Sequence, residues 1–245
     1  MRWSIPIAIA GTGRDAGLEE VRLLENNPYI AGRIEYLALD DMDGGCVNGD
    51  GFFLLFLVAL DGVRCGLDGA VRRLRDKTDL LVIFRAQRSG DQCFGGEIAQ
   101  MASLVVELND VDPGINRELV KITIANLVLA LPGPGMVWQQ PYDVQALLEP
   151  RGMCGVVSWT ATQEKGVARD QVKRLVARMG MADELAACRR FWLCITGDED
   201  HCTLDLFQEC TKELSELVDN ESTVLANICE CTSVKGYKLV LLAIK

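Results

Sequence analysis

Blocks of apolar residues alternate with a glycine turn and an amphipathic stretch at the start of the chain. Ser4–Ala10 is a mostly apolar run that predicts a buried strand, and a glycine turn follows it at residues 11–17. Leu18–Asn26 has helical spacing with acidic residues in its first turn, and Ile34–Leu39 predicts a second strand. A strand, a glycine turn, a helix and a strand are the opening of a nucleotide- or dinucleotide-binding α/β fold.

The same alternation continues toward the middle of the chain. Phe52–Leu60 predicts a third buried strand, Asp68–Lys77 a helix with a basic outer face, and Asp79–Phe84 a fourth strand. Ser103–Leu108 predicts a further short strand. Alternating strands and helices predict a mainly parallel sheet with right-handed crossovers.

Ile115–Met153 is the stretch around which the other elements are organised. In Ile115–Leu131 the apolar residues are not confined to one stripe, which predicts a helix that is buried on more than one side. Pro132–Gly135 ends this helix, because proline cannot continue it and glycine adopts the backbone angles that a stop requires. Tyr142–Leu148 predicts a second, shorter helix.

After Pro150 the pattern predicts the order β-α-β-α-β-β, a compact α+β domain with helices on one face of a sheet. Thr203 is predicted to cap the second of these helices. The predicted elements are strand Met153–Trp159, helix Gln163–Met179, strand Phe191–Thr196, a helix from Thr203 to Val218, and strands Thr223–Cys229 and Tyr237–Ile244.

These elements predict an α/β protein in three parts. The first, residues 1–112, is a shortened nucleotide-binding-type domain with a Rossmann-like, mainly parallel sheet. The second, residues 113–150, is the central helix and the loop that follows it. The third, residues 151–245, is the α+β domain.

The charge of the chain restricts its partners. Asp and Glu number 35 against 25 Lys and Arg, which gives a net charge of −10. This charge argues against nucleic acid or an anionic membrane as a partner. The longest apolar run, Phe52–Leu60, is too short to span a bilayer, and no secretion signal is visible at the N-terminus. We therefore expect a cytoplasmic protein without membrane insertion.

Ten cysteines and one histidine are scattered along the chain without a CxxC pair. In the absence of a secretion signal, we interpret the cysteines as reduced thiols that act as small apolar residues. His201 adjoins Cys202, and Cys229 and Cys231 lie further on, but structural zinc sites usually show paired short spacings. No metal site is predicted.

Several segments resemble FtsZ, the bacterial homologue of tubulin. PGPGMVWQQPYDVQALLEPRGM resembles the FtsZ segment after the central helix, where a proline-glycine turn leads into an Asn-x-Asp-x-x-Asp-Val loop and a helix. RRFWLCITGDEDHCTLDLF resembles the strand that ends in Ile-Thr-Gly and the helix start after it. LDGAVRRLRDKTDLLVIF and YLALDD are similar to earlier elements. The resemblance is strongest over residues 119–245 and weak over 1–50, and it implies a tubulin/FtsZ-like fold.

The nucleotide-binding loops of the family are changed in this chain. The glycine run after the first strand is reduced to a GxGxxxG turn, and the phosphate loop Gly-Gly-Gly-Thr-Gly-Thr-Gly is absent from the sequence. The remaining turn can bind a phosphate at a helix N-terminus or simply allow a tight strand-to-helix crossing. The candidate nucleotide contacts in it are Gly11, Thr12 and Gly13.

The loop after the central helix is changed as well. Aligning Asp143 with the last Asp of the family loop places Trp138 at the Asn position and Gln140 at the first Asp position. In FtsZ and tubulin this loop reaches the nucleotide of the next subunit, and its acidic residues help to activate the attacking water. A glutamine cannot take a proton, so Asp143 is the sole candidate catalytic residue that the resemblance implies.

The guanine contact of the family is also altered. Where the family has an Asp at the start of the central helix, the alignment gives Arg117, which offers only hydrogen-bond donors and cannot accept from guanine N–H groups. The neighbouring Asn116 is the candidate contact there.

We therefore predict an FtsZ/tubulin-like protein with a degenerate GTP site, a pseudo-GTPase that acts by self-assembly or by interaction with an FtsZ-type polymer. No cofactor is certain, and GTP or GDP is the candidate ligand. A first alternative is a nucleotide-dependent polymerising GTPase of the FtsZ family in cell division. A second is an NAD-binding Rossmann-type protein, because Asp40 ends the second strand where such folds hold a ribose.

Overall fold

The computed structural model describes residues 5–11, 30, 33–38, 51–59, 67–86, 100–108, 113–132, 136–149, 151–179, 187–231 and 234–245. The chain divides into two compact units. One consists of Met1–Lys121 with Leu148–Cys154, and the other of Ile122–Leu147 with Gly155–Lys245. The boundaries at 112/113 and 150/151 that the sequence indicates stay a prediction.

The first unit contains a parallel sheet. Every strand pair described in it is parallel, and the strand order is β2-β1-β3-β4-β5. Leu, Val, Ile and Phe make up most of β3, β4 and β5 because both faces of a parallel sheet are buried. The elements are β1 Ile7–Gly11, β2 Ile34–Ala38, β3 Phe52–Ala59, α1 Leu67–Arg75, β4 Thr78–Ala86 and β5 Leu104–Leu108.

The order of these strands creates one topological switch point. From β1 the chain goes to β2 on one side and then to β3 on the other, so the switch lies between β1 and β3. In open α/β sheets, ligands bind in the crevice at the carboxyl ends of strands at such a point. Gly11, which ends β1, pairs with Ala38 of β2 and with Val58 of β3.

The central helix, α2, spans Pro113–Ala130, and the shorter α3 spans Pro141–Leu148. From Ile122 to Ala130 every residue of α2 except Ala125 is buried. The prediction of a helix buried on more than one side is confirmed. None of the described helices is both long enough and apolar enough to cross a membrane.

The second unit is α+β, and its element order confirms the predicted β-α-β-α-β-β pattern. Its strand order is β6-β9-β7-β8, in which β9 is antiparallel to both neighbours and β8 is parallel to β7. Residues of both helices share one core with β7 and β9. The elements are β6 Met153–Thr162, α4 Ala168–Arg178, β7 Arg190–Gly197, α5 Leu204–Leu217, β8 Thr223–Glu230 and β9 Tyr237–Ile244.

Thr203 caps α5 as predicted, since its hydroxyl accepts from the Leu206 amide at 3.2 Å. The predicted start of the preceding helix at Gln163 is wrong. Strand β6 continues to Thr162, and Gly166 has a φ of +75°, so the helix begins only at Ala168. The predicted helix Leu18–Asn26 lies outside the described residues.

Candidate functional site

The loop between α2 and α3 is fixed to the edge of the second unit's sheet. Val137 forms an antiparallel bridge with Ile228 of β8, through amide-to-carbonyl distances of 3.3 and 3.1 Å. Two residues on, the Gln139 amide donates to the Ala130 carbonyl at 2.7 Å, and its side-chain Nε2 donates to the carbonyl of Ala226. Four hydrogen bonds therefore set the path of residues 137–139.

Because Val137 and Gln139 are held against β8 and the end of α2, the residues that alternate with them face away from the sheet. Side chains alternate along an extended segment, and here Met136 is 48% and Trp138 39% exposed. Tyr142, in the first turn of α3, is 68% exposed. Tryptophan, tyrosine and methionine are enriched at protein–protein interfaces. We call Met136, Trp138 and Tyr142 the aromatic loop.

Asp143 serves the start of α3. Its Oδ2 accepts from the Gln140 amide at 3.3 Å, while the Gln140 carbonyl accepts from the amides of Asp143 at 3.0 Å and Val144 at 3.3 Å. This is one half of a capping box, in which an acidic third residue satisfies the amide of the N-cap residue. Gln140 itself is exposed. The candidate catalytic carboxylate therefore has a structural role of its own.

The candidate nucleotide contacts are only partly described. Gly11 is buried at the end of β1, next to the switch point. Asn116 lies on α2 in the same unit and is 3% exposed, whereas Glu118 is exposed and pairs with Lys121 at 3.7 Å. Thr12, Gly13 and Asp40 lie outside the described residues. Asp143 belongs to the second unit.

Cysteines of the second unit are mostly buried thiols. Burial raises the pKa of Cys202 and of Cys210 to about 12, which keeps both protonated. Cys154 is exposed. Within the described residues, no group of three or more His, Cys, Asp or Glu side chains is placed to hold a metal ion, around His201 or elsewhere.

The anchoring role of Val137 and Gln139 was not predicted from the sequence. Their partners lie on β8, about 90 positions later in the chain, at a separation that no local pattern reports. The period-two alternation of Met136, Val137, Trp138 and Gln139 is the only signal that points to an extended, one-sided segment.

No model of a protein family matches the chain, and no curated protein matches it. Among solved structures, a tryptophan-to-tyrosine mutant of FtsZ from M. jannaschii is similar with a TM-score of 0.72 at 13% identity, over 99% of this chain and 91% of that chain. An empty FtsZ dimer from M. jannaschii gives a TM-score of 0.67 at 13% identity, over 98% and 88%. The GTPγS-bound CetZ2 protofilament from Haloferax volcanii gives 0.64 at 10%, over 98% and 93%.

These similarities extend over nearly the whole of each chain, and they confirm the predicted FtsZ/tubulin-like α/β fold. At 10 to 13% identity they concern the fold alone.

Proposed function

We propose that this FtsZ/tubulin-like chain is a pseudo-GTPase that acts through protein association, either with further copies of itself or with an FtsZ-type polymer. The observation that carries the proposal is the loop after the central helix. Asp143, the one carboxylate that matches the family loop, bonds the amide at the start of α3, and three large apolar or aromatic side chains project from the loop and the first turn of that helix.

The chemistry of the loop supports weak or absent hydrolysis. Activation of water requires a carboxylate or another base that accepts a proton. Gln140 cannot accept one, and Asp143 holds the Gln140 amide at the helix start. Drawing Asp143 toward a nucleotide would give up this hydrogen bond. In its present position Asp143 therefore serves the start of the helix.

The aromatic loop supports association. Trp138 and Tyr142 still expose 39% and 68% of their surface, and such residues contribute most of the binding energy of many interfaces. Two of the structurally similar proteins are an FtsZ dimer and a CetZ2 protofilament. Assembly of this chain in a comparable way is our proposal, with a second copy or an FtsZ-type subunit as the partner.

The alternative function is a polymerising GTPase that binds GTP or GDP at the first unit's switch point. The observation that favours it is the strand order around β1, which ends at Gly11 between β2 and β3. Gly11, Thr12, Gly13 and Asn116 are then the candidate contacts. Asp40 would instead hold a ribose if the ligand were NAD.

The nucleotide question is tested first. The purified protein is denatured, released nucleotide is identified by chromatography, and the stripped protein is titrated with GTP, GDP, ATP and NAD. Hydrolysis is then compared between the native protein and a variant that carries Gln140→Asp with Trp138→Asn. The pseudo-GTPase proposal expects no GTP turnover by the native protein. GTP turnover at rates typical of enzymes would overturn it, and a bound dinucleotide would favour the NAD alternative.

The association question is tested separately by sedimentation velocity over a concentration series, alone and with an FtsZ-type polymer. Replacing Trp138 and Tyr142 by alanine is expected to weaken association about thirtyfold or more, since interface hot spots contribute ~2 kcal/mol or more. Leu204→Ala is the matched control, because Leu204 is an exposed apolar residue on α5 of the same unit. Equal association of all three proteins would exclude the aromatic loop as the interface.

A further inference from the structure

The single histidine of the chain lies in the turn after β7, and both of its ring nitrogens face oxygen acceptors. His201 Nδ1 is 2.6 Å from Oδ1 of Asp198. Its Nε2 is 3.1 Å from the carbonyl oxygen of Gln163, in the segment that follows β6. A carboxylate and a peptide carbonyl can only accept hydrogen bonds.

Asp198 extends the cluster to a third segment. Its Oδ2 accepts from the Gly236 amide at 2.7 Å, and its own amide donates to the Gly236 carbonyl at 3.0 Å. Its Oδ1 also accepts from the His201 amide at 3.1 Å. The segments after β6, after β7 and before β9 are therefore joined by one set of polar contacts, which we call the His201 cluster (Gln163, Asp198, His201, Gly236).

The backbones of these segments approach one another closely. A methyl group built on Gly236 would lie 2.1 Å from the Thr162 carbonyl oxygen, and one on Gly197 would lie 2.6 Å from the Gly236 carbonyl oxygen. The three strand ends therefore have little room to adjust independently, and a change in one contact of the cluster affects the others.

The protonation state of the ring decides whether all contacts are made. A neutral imidazole carries one N–H, so its other nitrogen has only a lone pair to present. That nitrogen would face an oxygen that is itself an acceptor, and no hydrogen bond would form between them. The imidazolium donates from both nitrogens, to Asp198 and to Gln163. We propose that the His201 cluster is a pH-sensitive clip, closed when His201 is an imidazolium and loosened when it loses a proton.

Other ionisable groups surround the clip. Glu199 and Asp200 follow Asp198 in the same turn, and Glu164 adjoins Gln163. Across from them, the Tyr237 ring of β9 lies 6.3 Å from the His201 ring. Burial is the main cause that raises the pKa of Tyr237, and smaller contributions come from Cys210 and Glu209 of α5 and from Glu164. The phenol therefore stays neutral.

At low pH, protonation of Asp198 would remove the charged acceptor of the clip. The hydrogen bond from the His201 side chain, and then that from the Gly236 amide, lower the pKa of Asp198. A carboxyl whose folded pKa is depressed contributes stability above its ordinary pKa and loses it as the pH falls through the folded value. Once the imidazolium loses its proton, only one of the two ring contacts can be made as a hydrogen bond, and the clip loosens.

Two measurements on the intact protein test the proposal. The first is the imidazole ¹H–¹⁵N spectrum, which contains only one histidine. It is expected to show both ring nitrogens protonated at pH 5.5 and one at pH 9. The second is hydrogen exchange at the Gly236 amide, which, after correction for the intrinsic effect of pH, is expected to accelerate about tenfold across the histidine titration as one charge-assisted contact is lost.

Two variants separate the clip from a general effect of pH. In His201→Gln, exchange at Gly236 is expected to lose its dependence on pH. In Asp198→Asn, protection of Gly236 is expected to fall at every pH, because the amide loses its charged acceptor. If either variant unfolds, the wild-type spectra alone decide. A single protonated nitrogen at pH 5.5, or unchanged protection of Gly236 across the titration, would overturn the proposal.

Discussion

The buried carboxylate of Glu213 leads to a prediction that runs against a simple count of charges. Glu213 lies on α5 with a side chain only 7% exposed, and its oxygens contact Arg169 Nε at 2.7 Å and Lys173 Nζ at 3.5 Å on α4. Arg169 is 67% exposed. Removing one partner of an ion pair is costly mainly when the charge left behind is buried.

Arg169→Met is therefore expected to destabilise the protein more than Glu213→Gln. The first change leaves a buried carboxylate with only the longer contact to Lys173, and hydrogen bonds to charged groups contribute about 1.5–3 kcal/mol, so a loss of about 2 kcal/mol is expected. The second change removes the buried charge and leaves Arg169 solvated, so the unfolding free energy is expected to fall by only about 1 kcal/mol. In the double variant, Arg169→Met is expected to cost less than about 0.5 kcal/mol.

The assay is urea denaturation followed by tryptophan fluorescence, to which Trp138, Trp159 and Trp192 contribute from the same unit. Lys212→Met is the matched control, because Lys212 is exposed and lies 4.0 Å from Glu216, so its loss is expected to change the unfolding free energy by less than about 0.5 kcal/mol. Equal effects of Arg169→Met and Lys212→Met, or additive effects in the double variant, would refute the reasoning.

Three further predictions concern single positions. Gly236→Ala is expected to destabilise the protein by more than about 3 kcal/mol in the same urea titration, because the added carbon would meet a carbonyl oxygen at 2.1 Å. Gly166 has a similar φ but open space around it, so Gly166→Ala is expected to cost only about 1 kcal/mol. Asp143→Ala is expected to lower stability by about 1 kcal/mol as a lost cap, equally with and without GTP; a nucleotide-dependent effect would speak for a catalytic role. Thiol labelling at pH 8, read by peptide mass spectrometry, is expected to modify Cys154 and to spare Cys202, since burial raises the pKa of the latter; rapid labelling of Cys202 would contradict its burial.

The sequence predicted elements whose signals are local. The helix from Thr203 was predicted correctly because a cap residue, helical spacing and a polar outer face coincide within 15 positions. The strand Tyr237–Ile244 was predicted with its observed bounds because its apolar run is bordered by Gly236 on one side and by Lys245 on the other. The late start of α4 was missed because Gly166 adopts a positive φ that a helical pattern does not reveal.

The candidate site was less predictable because its geometry depends on distant contacts. Asp143 was assigned from a resemblance, but its use as a cap depends on the amide of Gln140, which only the structure reveals. The exposure of Trp138 depends on Val137 pairing with Ile228, across a separation of 91 positions. An exposed tryptophan and a core tryptophan have the same signal in a sequence.

The bridge between Val137 and Ile228 also bears on aggregation. Strand β8 lies at the end of the second unit's strand order. Its first seven residues, TVLANIC, carry no charge and no proline, and Glu230 at its end is its one charged residue. An edge strand of this kind invites pairing with another chain, and proteins usually protect such edges with charges, bulges or covering loops. Here the covering is provided by Val137 and Gln139, which occupy backbone groups of Ile228 and Ala226. The segment that carries the aromatic loop thus also covers the edge of β8 and hinders its pairing with the β8 of another copy.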